Sequence, residues 1–155
     1  MAMRSTFFAV LLVSSAACGS TEPGPAPATF DLAWVWGVLL TQLSGPVPHA
    51  VVFGSDTNWT LNGRLTWDSH RRRYRILIHG VLVETGVRTP WDVIDSGTYE
   101  PSSWQCTGCM PYRLISDQHF DPEGEIRFIP DTTSGSADVY NLAGNGSWYY
   151  TFTRP

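Results

Sequence analysis

The clearest alternation of apolar and polar positions lies in residues 59–68. Trp59, Leu61, Leu65 and Trp67 share one parity, and Thr60, Asn62, Arg64, Thr66 and Asp68 share the other. A period of two predicts a strand with one buried face. Gly63 interrupts the apolar parity, which marks a bulge or a crowded approach. Residues 68–72 (DSHRR) predict a turn, after which Tyr74, Ile76 and Ile78 resume the alternation opposite Arg73 and Arg75. Beyond Gly80 the apolar positions move to Val81 and Val83. A one-residue shift of this kind at a glycine predicts a bulge.

The rest of the chain repeats the pattern. Phe30, Leu32, Trp34 and Trp36 alternate, and residues 49–53 form a short β-branched run. A strand containing Trp91 and Val93 ends in DSGTY, residues 95–99. Residues 112–115 predict a short strand. Ile126 and Phe128 alternate with Glu125 and Arg127, and Pro130 closes that run. Ala137 and Val139 face one way, residues 143–146 (AGNG) read as a hairpin turn, and Trp148, Tyr150 and Phe152 share an inner parity. No window beyond the N-terminus shows helical spacing. Eight or nine strands with short links predict an all-β barrel or sandwich, and the succession of hairpins favours a single antiparallel up-and-down small barrel.

The N-terminus has a different pattern. Arg4, an apolar run over residues 7–13 and small residues 14–17 have the layout of a secretory signal. The apolar run is too short for a spanning helix, which takes about 20 residues. Residues 19–28 (GSTEPGPAPA) hold three Pro and two Gly and predict a partly extended tether. The expected organisation is a removed signal over 1–17, Cys18 with a tether over 18–28, and a folded domain over 29–155. A 43% hydrophobic, 15% charged and 13% aromatic chain is not a disordered one. All ten basic residues are Arg, and the net charge of −4 disfavours nucleic acid as a partner.

Several short motifs together carry a resemblance over nearly the whole chain. Ser15-Ala16-Ala17-Cys18 resembles a lipobox, with Ser15 where Leu is usual. TFDL (29–32) opens the domain, Trp36-Gly37-Val38-Leu39-Leu40 follows, and Gly63 to Ile76 has the form of a family hairpin with a longer, basic turn. DSGTY (95–99) and a closing YTFTR (150–154) complete the set. The chain thereby resembles small bacterial envelope lipoproteins with a lipocalin-like β-barrel. The resemblance implies a diacylglycerol thioether on Cys18 and a membrane anchor. With Gly19 rather than Asp after the Cys, it also implies outer-membrane sorting, facing the periplasm. It implies no activity and no catalytic residues.

Candidate chemistry is sparse. Cys106 and Cys109 form a CxxC in a loop-like stretch. In an exported protein two such thiols predict a disulfide. Redox work would want a following helix N-terminus, and Pro111 with a strand comes next instead. Zinc would need four ligands; the pair supplies two, and His49, His70, His79 and His119 are scattered. Arg71, Arg72, Arg73 and Arg75 form a basic cluster, read as a solvated hairpin tip or as a contact for an anionic lipid surface. Asp117, Asp121, Glu123 and Glu125 read as a solvated acidic loop, with glycosidase carboxylates or a weak calcium contact as alternatives. The aromatic stripes read first as core. Trp59, Trp67, Trp148, Tyr150 and Phe152 would fill a barrel, while Trp34, Trp36 and Trp91 are the candidates to line a mouth or cavity. No cofactor motif is present. The expectation is a non-enzymatic protein that binds an apolar small ligand or scaffolds at the membrane. The alternatives are an envelope-protein interaction module with a filled core, and a redox or metal protein using Cys106 and Cys109.

Overall fold

The computed structural model describes residues 26–37, 43–103, 107–119, 124–129, 135–142 and 148–155. Ten strands are present: β1 Ala28–Gly37, β2 Gly45–Pro46, β3 His49–Phe53, β4 Asp56–Asp68 and β5 Arg73–Glu84, then β6 Val87–Pro101, β7 Met110–Ser116, β8 Gly124–Ile129, β9 Ser136–Tyr140 and β10 Trp148–Thr153. No α-helix occurs among the described residues. All pairings are antiparallel, in the order β1-β10-β9-β8-β7-β6-β5-β4, and β4 returns to β1 to close an eight-stranded up-and-down barrel. The all-β barrel expected from the alternation is therefore the fold.

The closure is partial, and the reason lies in β1 and β4. They pair from Ala28↔Trp67 to Asp31↔Arg64 and then part. Beyond that point β1 takes β2 as its neighbour and β4 takes β3. Each strand changes register near the parting, between Leu32 and Trp34 in β1 and between Thr60 and Asn62 in β4. An extra residue in a strand bends it and moves every later side chain to the other face. Phe30 and Leu32 are therefore buried before the first bulge, and Val35 after it. Leu65 and Trp67 point inward on β4, but on the far side of its bulge the buried residue is Thr60, while Trp59 and Leu61 are exposed. The parity expected for Trp59 and Leu61 is thus reversed, and Trp59 does not fill the barrel.

Gly80 also differs from expectation. β5 pairs with β6 without a register shift from Arg73↔Thr98 to Glu84↔Val87, so β5 itself carries no extra residue; the bulge beside Gly80 belongs to the facing strand β4, where the register shifts between Thr60↔Gly80 and Asn62↔His79. A side chain at Gly80 would overlap the ring of Trp91, its cross-strand partner, and the Trp59 carbonyl oxygen. The glycine provides room for an indole.

The two ends of the barrel differ. At the end where β1 begins, Trp67 stacks on Tyr99 at 3.6 Å between centroids, and the edges of Phe128 and Tyr112 pack against them. Phe30 adds a fifth ring, 5.7 Å from Phe128. Among the described residues these five packed rings fill that end, which makes it the closed one. Beside it, Asp95 is 1% exposed and accepts hydrogen bonds from Tyr74 Oη (3.1 Å) and Ser116 Oγ (2.6 Å). Burial raises the Asp95 carboxyl above its ordinary value and raises the Tyr74 phenol as well. The DSGTY stretch therefore has a structural role. Asp95 anchors a buried polar cluster, Gly97 lets β7 pass where a side chain would overlap the Ile115 carbonyl, and Tyr99 joins the aromatic plug.

Candidate functional site

The opposite end of the barrel holds an open cavity of about 250 Å³. Its walls follow from the two bulges. Val35 enters from β1, and Asn58 and Thr60 enter from β4, because the shifted register turns these residues inward. Val51 and Phe53 of β3 cover the gap where β1 and β4 have parted. Leu82 closes one side from β5, Trp91 and Val93 from β6, and Trp148 and Tyr150 from β10. The lining is mostly aliphatic and aromatic with a few polar groups, the usual character of a small-molecule pocket.

The polar groups have defined roles. Trp91 Nε1–H donates to Asn58 Oδ1 at 2.8 Å. An indole can only donate, so this bond fixes the Asn58 amide with its oxygen toward Trp91 and its NH₂ free to donate elsewhere. The Thr60 and Tyr150 hydroxyls have no hydrogen-bond partner among the described residues. Burial pushes the Tyr150 phenol up to about 12, so it stays protonated at ordinary pH. None of the described lining residues is charged.

Of the three tryptophans expected to line a cavity, the structure brings one to it. Trp91 lines the mouth. Trp34 and Trp36 do not, because the β1 bulge turns them to the outer face. Trp36 stacks on Tyr149 (5.4 Å, 4° between planes), and its Nε1–H donates to Thr151 Oγ1 at 2.8 Å. Trp34 packs 5.4 Å from Trp36, and Tyr149 stacks on Tyr140 at 4.8 Å, with the Arg127 guanidinium 4.4 Å from the Tyr140 ring centre. These residues form an outer aromatic row across β1, β10 and β9, ended by Arg127 on β8. Trp148 and Tyr150, expected as inward-facing filling, do point inward: Tyr150 belongs to the buried core, Trp148 packs against it, and both also line the mouth. Asn58 and Thr60 carried no signal in the sequence, where they occupy the polar parity of a strand.

The remaining candidates are spread over the molecule. Arg71, Arg72, Arg73 and Arg75 lie at the β4–β5 turn and the start of β5, at the closed end. Asp68 accepts from the Arg71 amide at 2.9 Å and lies 3.7 Å from its guanidinium, while Arg73 pairs with Asp117 at 2.6 Å. Arg72 adopts a left-handed conformation (φ 52°) in the turn. Of the four acidic residues, Asp117 directly follows β7. Asp117 serves Arg73 and accepts from Ser96 Oγ, Glu125 sits on β8 beside Arg127 at 2.9 Å, and Asp121 and Glu123 lie outside the described residues. His79 Nδ1 lies 2.6 Å from Asp92, and His49 Nε2 lies 2.6 Å from the Leu43 carbonyl. Among the described residues no three His, Cys, Asp or Glu side chains are grouped to hold a metal. Cys18 and Cys106 lie outside the described residues, so the lipidated cysteine and the Cys106–Cys109 bridge remain expectations. A wider depression on the outer face, between β1, β4 and β5, has its charges matched within the protein, Arg64 with Asp31 at 3.1 Å and His79 with Asp92. No protein-family model, no curated protein and no solved structure matches the chain.

Proposed function

We propose that this chain is a lipid-anchored bacterial envelope protein without enzymatic activity, and that it holds a small apolar molecule in the open mouth of its barrel. The observation that carries the reading is the mouth cavity of about 250 Å³, walled by Val35, Val51, Leu82, Val93, Trp91 and Trp148. Apolar walls around a few oriented polar groups suit a ligand whose main driving force is removal of apolar surface from water. Anchorage rests on the signal-like N-terminus and the lipobox-like Ser15 to Cys18. The Cys106–Cys109 disulfide belongs to the same reading, since an oxidising compartment would bond a nearby thiol pair.

A titration of methyl octanoate followed by tryptophan emission tests the binding. Wild type is expected to saturate. Val93→Trp, which fills the cavity, is expected to weaken binding about tenfold or more, a loss of about 1.4 kcal/mol. Trp36→Ala, on the outer face, is expected to leave it unchanged. Unchanged binding in Val93→Trp would place the ligand elsewhere. A second reading, docking of an envelope protein on the outside, is favoured by the row Trp34, Trp36, Tyr149 and Tyr140; it predicts the reverse ranking of the two variants for that partner.

A further inference from the structure

The polar groups of the mouth are of one kind. The Asn58 NH₂ is left as a donor by the bond its oxygen receives from Trp91. The Thr60 and Tyr150 hydroxyls lack partners among the described residues and can each donate into the same space. Among the described residues the lining carries neither Arg nor His; His49, cross-strand from Thr60, has its Nε2 2.6 Å from the Leu43 carbonyl. A carboxylate or phosphate brought here would lose its hydration and gain no opposite charge, the costly case of charge burial. A neutral oxygen acceptor would be met by donors that have no partner among the described residues.

Resting on the mouth as the binding site, we infer that the ligand is a neutral molecule with an apolar body and a carbonyl or ester oxygen, held by Tyr150, Thr60 and Asn58, and that ionised lipids are excluded. The Trp91–Asn58 bond is then a positioning contact, since it turns the amide donors toward the ligand. Trp91 itself is held flat over Gly80, where any side chain would overlap its ring.

The test uses the purified full-length chain at about pH 8 and three probes of similar size: methyl octanoate, octanoate and n-decane. Calorimetry is expected to show the ester binding roughly tenfold or more tighter than octanoate. Tyr150→Phe is expected to weaken the ester about 2–10-fold, the effect of one net hydrogen bond, and to leave decane unchanged. The melting temperature of the variant serves as the check on its fold. Octanoate binding as tightly as the ester overturns the inference while the cavity reading stands. An equal change for ester and decane in Tyr150→Phe also overturns it, since Tyr150 would then act by shape alone. Binding by none of the three removes the cavity reading and the inference with it.

Discussion

Asp95 is the residue at which burial and charge conflict most directly. It lies inside the barrel with two hydroxyl donors and, among the described residues, no cation against it, and burial holds its carboxyl above the ordinary value. The folded chain therefore retains a proton at a pH where the unfolded chain has released it. The stability contributed by this group is fully present below the ordinary carboxylate range, near about 4, and falls as the pH rises through the raised value. Asp95→Asn keeps an acceptor for Tyr74 and Ser116 and abolishes the titration. Urea midpoints measured from about pH 4 to about pH 8 should show the variant gaining on wild type as the pH rises. Parallel curves would mean that Asp95 is not the source of any such slope. Asp95→Ala should instead cost roughly 1–3 kcal/mol at about pH 4, because two buried hydroxyls lose their acceptor, and that cost should shrink as the pH rises, since this variant also lacks the titration.

Along the elements, regular alternation was legible in the sequence and its interruptions were not. β5, β9 and β10 bury the residues their parity predicts, Tyr74, Ile76 and Ile78, then Ala137 and Val139, then Tyr150 and Phe152. The two bulges fall instead near Ala33 and Leu61, residues with no local preference for a bulge, because their cause is tertiary: the strands must bend where β1 and β4 part. The glycines that suggested bulges serve close approach. Gly63 lies under Leu32 and the Leu77 carbonyl, and Gly80 lies under Trp91. One bulge sends Trp34 and Trp36 outward; the other sends Trp59 outward and brings Asn58 and Thr60 in. The candidate site was therefore legible in one residue of three, Trp91, whose strand runs without a register shift against β5.

For the whole molecule, the two ends of the barrel have different surroundings on the proposed anchoring. β1 starts at the closed end, where Ala28 pairs with Trp67, and the arginine-bearing β4–β5 turn lies at the same end. A tether from Cys18, about 20–30 Å at roughly 3 Å per residue, would enter there. The aromatic plug and Arg71, Arg72 and Arg75 would then face an anionic surface, where each charge contributes about 1 kcal/mol. The mouth would open away from it, toward the aqueous side. Detergent partitioning tests the anchor: wild type is expected in the detergent phase and Cys18→Ala in the aqueous phase. Retention of the variant with membranes would contradict lipidation.

The central claim, that the mouth rather than the outer face is the binding site, is tested most directly by the indole N–H resonances of the seven tryptophans during a titration with methyl octanoate. The account predicts that the signals of Trp91, bonded to Asn58, and of Trp148 move in a saturable way, while those of Trp67 in the closed end and Trp36 on the outer face stay fixed. Movement of Trp34 and Trp36 with Trp91 and Trp148 unchanged would contradict it.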